Sequence, residues 1–397
     1  MRTVLVTGPG GAGRTTVAVA SALAAAASGS RTLLVSAESI PGLPSRTEPT
    51  RAADRLDHVR IDSGEHFRAQ LTDLQKRASS LLDLLGAGRL DGEELTELPG
   101  SPQLALLHTL HRAAAGDWSA GGYDTLVVDL PPLTEALALL ALPEQLRRYL
   151  RRLLPAERQA ARALRPVLAQ LAGVPMPAQW LYEAAARKDA ELAAVQALVE
   201  DGATTLRLVA EPGPAAEDAL RTARTGLALH GLRADLLVAN RVLPRHSPDP
   251  WFAALAAEQD KCLGHWQDAW APDVPVHEAA HLGRDPRDAD DLGALAVPAP
   301  DEREPGRVDD PWWIEEEPGE EGSPDVLTWC LPLPGAAKED LRLVRRGEEL
   351  LLTVGPFRRI VRVASALRRC TVSGAALTDG VLRVRFMPDA ALWPRGS

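Results

Sequence analysis

The chain has 397 residues, a formal net charge of −10, 45% hydrophobic and 25% charged residues, ordinary values for a globular protein that exclude global disorder, collagen and coiled coil. The length predicts two or three domains. Three isolated cysteines (Cys262, Cys330, Cys370) exclude a disulfide scaffold and any CxxC metal site, and no apolar run approaches the roughly 20 residues that span a bilayer.

The chain opens on MRTVLVTG, strand-like rather than signal-like, so a cytoplasmic protein without an integral membrane span is expected. RTVLVT (2–7) reads as a buried strand, followed by a Gly-rich turn and a helix over 15–27. RTLLVSA (31–37), YDTLVVDL (123–130), TLRLVAE (205–211) and ADLLVANR (234–241) read as further strands. Their near-continuous apolar runs suit strands covered on both faces, and the helical patterns between them predict right-handed crossovers. The fold class expected is therefore α/β, a doubly wound and mostly parallel sheet, over residues 1–298. Helical stretches at about 64–116 and 134–200 are too long for simple crossovers and predict a helical subdomain. Within them, 144–173 carries apolar residues at helical spacing among many arginines: a core face with a solvated basic side, or a partner-binding groove. Residues 301–325 hold eleven acids, two bases and four prolines, which reads as an acidic linker over 299–325. The short alternating runs after it predict an all-β sandwich over 326–390.

The strongest local motif is T-G-P-G-G-A-G-R-T-T at 7–16, between a predicted strand and a predicted helix. Its spacing is that of a phosphate-binding loop, G-x-x-x-x-G-K-[ST]. Glycines let backbone N–H groups converge on an anion, and the helix N-terminus adds its positive dipole end. A plain tight turn is the alternative. The usual lysine is replaced by Arg14, a bulkier planar fork in place of a compact point charge.

The loop resembles the deviant Walker A, G-K-G-G-x-G-K-T-T, of the arsenite-pump and tail-anchored-protein-targeting ATPases. YDTLVVDLPPLTEALALLALPE (123–144) is similar to that family's switch II, ADLLVANRVLP (234–244) to its late strand ending in N-R-V, and LLVSAESIPGL (33–43) falls where switch I stands. ELTELPGSPQLALLHTL (94–110) is similar to the helical region before switch II. The resemblance implies that Gly8, Gly10, Gly11, Ala12, Gly13 and Arg14 bind ATP, with Gly10 to Arg14 cradling its phosphates. It places Thr15 on Mg²⁺, Thr16 on a phosphate, Asp129 facing the magnesium shell, Glu38 at the water-activating aspartate, and Asn240 at adenine. Pro9 stands where the family has a lysine reaching across a dimer; proline has neither charge nor N–H. With Arg14 and Glu38 also changed, and phosphoryl transfer resting on positioning and charge, a slow or lost ATPase is expected.

The last stretch (331–386) resembles the α-crystallin domain of small heat-shock proteins through L-P-G near Gly335, K-E-D-L at 338–341, E-L-L-L-T-V at 349–354, F-R-R at 357–359 and G-V-L at 380–382; an I-x-I tail is missing. The reading is a nucleotide-regulated, chaperone-like factor, as a homodimer or a mixed dimer with a paralogue, with a hydrophobic protein client. The alternative is a pseudo-ATPase scaffold that binds partners through the β-sandwich. Without a cysteine cluster, metalloid transport is disfavoured. No aromatic and basic residues interleave, so no nucleic-acid partner is expected.

Overall fold

The computed structural model describes residues 1–77, 79, 88, 90–118, 122–154, 179–306, 308–317 and 326–389. Much of the basic stretch at 144–173 therefore lies outside the described residues.

An eight-stranded sheet forms the centre of the first unit. Its strands are β1 (Arg2–Thr7), β2 (Thr32–Ser36), β3 (Thr50–Ala53), β4 (Leu56–Arg60), β5 (Thr125–Asp129), β6 (Thr204–Ala210), β7 (Ala234–Val242) and β8 (Val276–Ala280). Their order is β3-β4-β2-β5-β1-β6-β7-β8. Neighbours pair in parallel, except β3, which runs antiparallel to β4 at the edge. The five strands expected from continuous apolar runs are present. The edge strand β3 (TRAA), with β4 (LDHVR) and β8 (VHEAA), escapes that reading, because each interleaves polar residues and is partly exposed.

Side chains alternate between the faces of the sheet. Val4, Val6, Leu34, Val127, Val209 and Val238 pack with helix α1 (Arg14–Ala27) and the short α8 (Ala289–Ala294). Leu5, Leu33, Val128, Leu208 and Leu237 pack on the opposite side. That side carries α2 (Ser63–Arg77), α3 (Ser101–Ala115), α4 (Leu133–Leu153), α5 (Gln179–Glu200), α6 (Pro214–His230) and α7 (Pro250–Trp270). The helices α2 to α5, drawn from the stretches expected as a helical subdomain, pack against one another.

The second unit pairs two antiparallel sheets, β14-β15-β10-β9 and β11-β12-β13. Its strands are β9 (Trp313–Glu317), β10 (Val326–Pro332), β11 (Leu341–Arg346), β12 (Glu349–Val354), β13 (Phe357–Arg362), β14 (Cys370–Thr378) and β15 (Val381–Pro388). β9 differs from the expected linker. Five residues of the acidic stretch form a strand, because β10 offers an edge and Arg383 and Arg385 of β15 meet Glu315 (2.6 Å) and Glu317 (3.3 Å). Trp312 lies against the buried Trp329, with ring centroids 6.1 Å apart.

The sandwich does not hang from a tether. Its core is continuous with the helical side of the first unit. Gly226 of α6 admits the Phe357 ring, since a Cβ there would stand 2.8 Å from both Phe357 and Leu137. Thr225 donates its hydroxyl to the Pro334 carbonyl (2.8 Å) and Arg359 donates to the Leu229 carbonyl (2.7 Å). Arg148 of α4 makes a bidentate pair with Glu349 (3.0 and 2.6 Å).

Candidate functional site

The sheet's order reverses between β1 and β5. The chain leaves β1 toward β2 on one side and leaves β5 toward β6 on the other. Ligands of doubly wound sheets bind beyond the carboxyl ends of strands at such a switch point. The loop 8–13 follows β1 there, and Asp129 ends β5.

The loop is built by close approach. A Cβ on Gly8 would stand 1.8 Å from the Val209 carbonyl oxygen, so only glycine lets the chain leave β1 past β6. Pro9 accepts at its carbonyl from the Ala12 N–H (3.3 Å), which closes a tight turn. Gly10 and Gly11 have open space where a side chain would be. Gly13 is left-handed (φ 88°) and lies against Asn240. Helix α1 then begins with no side-chain cap and no acid in its first turn. Its leading N–H groups are thus left for an acceptor from outside, the arrangement that binds anions.

Thr15 Oγ1 donates to Asp129 Oδ2 (2.6 Å), while Asp129 Oδ1 is buried without a partner. Burial pushes the Asp129 carboxyl up to about 6, against the opposing pull of the Thr15 hydroxyl and Arg14, and nearby Glu38 adds to the rise. A buried carboxylate with one orphaned oxygen beside a hydroxyl is a donor set that suits a hard divalent cation. Glu38 itself is exposed and lines, with Arg14 and Asp129, a cavity of about 370 Å³ that extends to Arg60, Gln103 and Glu135.

Arg14 does not stand free. Its guanidinium donates to the carbonyl of Leu130, in the segment after β5. The same segment is fastened to the loop by Leu130 N–H to Val6 (2.9 Å), Leu133 N–H to Gly8 (3.0 Å) and Thr7 Oγ1 to Pro131 (2.8 Å). Arg14 is thus a tie between the loop and the start of α4.

Asn240 lies on the far side of the loop. Its amide donates to the Ala12 carbonyl (2.8 Å), and it lines a smaller cavity with Thr16. The carboxyl end of the sheet therefore brings the loop, Glu38 and Asp129 to one side and Thr16 and Asn240 to another. Sequence reasoning passed over Arg241. It adopts a left-handed backbone (φ 59°) and donates to the Gly11 carbonyl (3.2 Å) and to Glu211 (3.2 Å). Only its place after Asn240 in N-R-V marked it. Ser36 and His58 were also missed: their side chains bond at 2.9 Å, and His58 Nδ1 donates to the Pro44 carbonyl (2.7 Å), which pins the loop carrying Glu38.

Residues 1–292 match the family model described as anion-transporting ATPase, and residues 324–386 match one described as an HSP20-like domain found in ArsA. An uncharacterized protein of Streptomyces coelicolor is 56% identical over the full length of both chains. A protein of Mycobacterium tuberculosis is 29% identical over 99% of this chain and 97% of its own. A protein of Chlorobaculum tepidum named arsenical pump-driving ATPase is 25% identical over 97% of this chain and 96% of its own.

Proposed function

Since the chain belongs to the anion-transporting ATPase family and ends in that family's HSP20-like domain, we propose that it binds ATP with Mg²⁺ at the loop 8–16 and hydrolyses it slowly. The observation that carries this reading is the pairing of an uncapped helix N-terminus with Asp129, whose Oδ1 has no partner. Gly10, Gly11, Ala12, Gly13 and Arg14 would hold the phosphates, Thr16 a further phosphate oxygen, and Thr15 and Asp129 the cation. Asn240 borders the place for adenine. Mg²⁺ supplies neutralisation of phosphate charge. Glu38 would orient water from the cavity wall.

Slow turnover follows from the residues present. Pro9 offers no cation, and Arg14 already spends one of its guanidinium nitrogens on the Leu130 carbonyl, which holds the fork toward the segment after β5. Arsenite pumping is not part of the proposal. The three thiols are buried on α7, β10 and β14, and burial raises each above the usual thiol range. We place the protein in the cytoplasm as a dimeric, chaperone-like factor for hydrophobic protein clients; among the described residues no helix is long and apolar enough to cross a membrane. A second reading, a pseudo-ATPase scaffold, is favoured by the Arg14 tie alone.

Calorimetric titration with Mg-ATP tests both. Saturable heat, weakened at least tenfold in Arg14→Ala and in Asp129→Ala, supports the nucleotide site. A continuing baseline heat marks turnover and favours the enzyme; saturation without it favours the scaffold. No heat from folded protein rejects the site.

A further inference from the structure

The seam between the two units holds a groove of about 590 Å³, far from the loop in the chain and built by the C-terminal half of α4 and one end of the sheet β11-β12-β13. Four exposed arginines line it, and no described carboxylate lies within ion-pair distance of any of them. Arg151 and Arg152 come from α4, and Arg346 and Arg362 from the sandwich. Arg151 spends its Nε on the Arg147 carbonyl of its own helix (3.2 Å). The other two arginines of the wall are engaged: Arg148 by Glu349, and Arg359 by the Leu229 carbonyl with Glu144 at 3.9 Å. Glu348 turns to Arg368 (3.4 Å); Glu349 acts at longer range on Arg152 and Arg362, and Glu144 on Arg151, so six arginines of the wall face four carboxylates, Asp310 among them.

Collecting like charges from two separate units costs free energy unless something anionic meets them. In a chain of net charge −10 this is a local reversal of sign. We propose that the groove is a docking site for an acidic peptide segment, whose Asp and Glu side chains pair with these guanidinium forks. The fork matches a carboxylate bidentately. The groove favours a peptide over a nucleic acid on two grounds. Carboxylates interleave with its arginines and would repel a continuous phosphate backbone, whereas a peptide can turn N–H groups toward them. Ile360, Val361 and Trp312 add apolar wall, which suits side chains between the acids.

The test is fluorescence anisotropy on the full chain with a labelled octaglutamate peptide at low salt. Saturable binding is expected, weakened at least tenfold by Arg346→Glu/Arg362→Glu and also by Arg152→Glu on the opposite wall. Arg342→Glu/Arg369→Glu, the same charge change at two sandwich arginines that do not line the groove, leaves it within twofold. Thermal melts confirm that each variant is folded. The proposal is overturned by absent binding, by equal weakening in the two double variants, or by a single-stranded oligonucleotide that binds more tightly than the peptide.

Discussion

Asp129 is a carboxylate held out of water at the end of β5, with one oxygen on Thr15 and the other on nothing. Its folded-state value of about 6 lies above the ordinary 3.8. A carboxyl raised in this way stabilises the fold fully below 3.8, and that contribution is lost as pH rises through about 6. At pH 7.5 the buried charge thus costs up to ~3 kcal/mol, taking 1.36 kcal/mol per pH unit. Asp129→Asn keeps an acceptor for Thr15 and removes the charge. Urea unfolding without nucleotide is expected to show the variant more stable above pH 6 and no different at about pH 3, below the unfolded value. Its Mg²⁺-dependent nucleotide binding is expected to fall. A variant less stable at pH 7.5 would contradict this account of the orphaned oxygen. Arg14 shows the complementary situation, a cation already holding a carbonyl. Both residues stood out in the sequence, since the loop pattern fixes one and the end of a strand the other. The state of each did not, because burial and partners come from β1, β5 and α4 meeting.

At the scale of elements, α4 joins the site to the sandwich. The helix starts at Leu133, whose N–H is held by Gly8, and about three to four turns later presents Glu144 and Arg148 to β13 and β12. Beside it, Gly226 of α6 leaves room for Phe357. Gly226→Ala would force a methyl to within 2.8 Å of that ring and of Leu137. Overpacking of this kind costs ~1–3 kcal/mol. Thermal denaturation of the full chain should register it, and an unchanged midpoint would mean that the sandwich moves aside freely. Glycine at this point in a helix could not be read as a contact from the sequence, where it looks like a mild break in a helical pattern. The strand β9 is the second such case. An acidic, proline-bounded run lacks any core signal of its own, and it becomes a strand through the edge of β10 and the arginines of β15.

At the scale of the molecule, a buried ion-pair cluster and an uncharged imidazole at the seam hold the parts together. Asp235 receives both Arg2 (3.2 Å) and Arg207 (2.9 Å), and these arginines also hold the carbonyls of Asp301 (2.9 Å) and Pro298 (2.8 Å). The segment leaving the first unit is thereby clamped to β1 and β6. His230, at the end of α6, sits edge-on to Phe357 at 6.3 Å in the seam. Burial there, with Arg359 nearby, lowers its value from 6.5 to about 3. A histidine depressed in this way stabilises the fold fully above 6.5 and loses that contribution as pH falls toward 3. At pH 5 the loss is at most about 2 kcal/mol. The midpoint of thermal unfolding should therefore fall between pH 7 and 5, and His230→Gln should flatten that fall. Equal slopes in the two proteins would place the pH sensitivity elsewhere.

The amino-acid sequence by itself determined the parallel core strands, the phosphate-loop pattern, the strand-end aspartate, the late asparagine and the two-unit order. These are local: apolar runs, glycine spacing and alternation are written within a dozen neighbouring residues. Only the tertiary structure decided that Arg14 ties down the segment after β5, that Asn240 braces the loop and that Arg241 reaches back to it. It likewise decided that the sandwich docks on α4 and α6 and that four arginines from two units face one groove. Each depends on groups a hundred or more residues apart meeting at a set distance. Burial and charge at that meeting, rather than any local preference, fix the outcome.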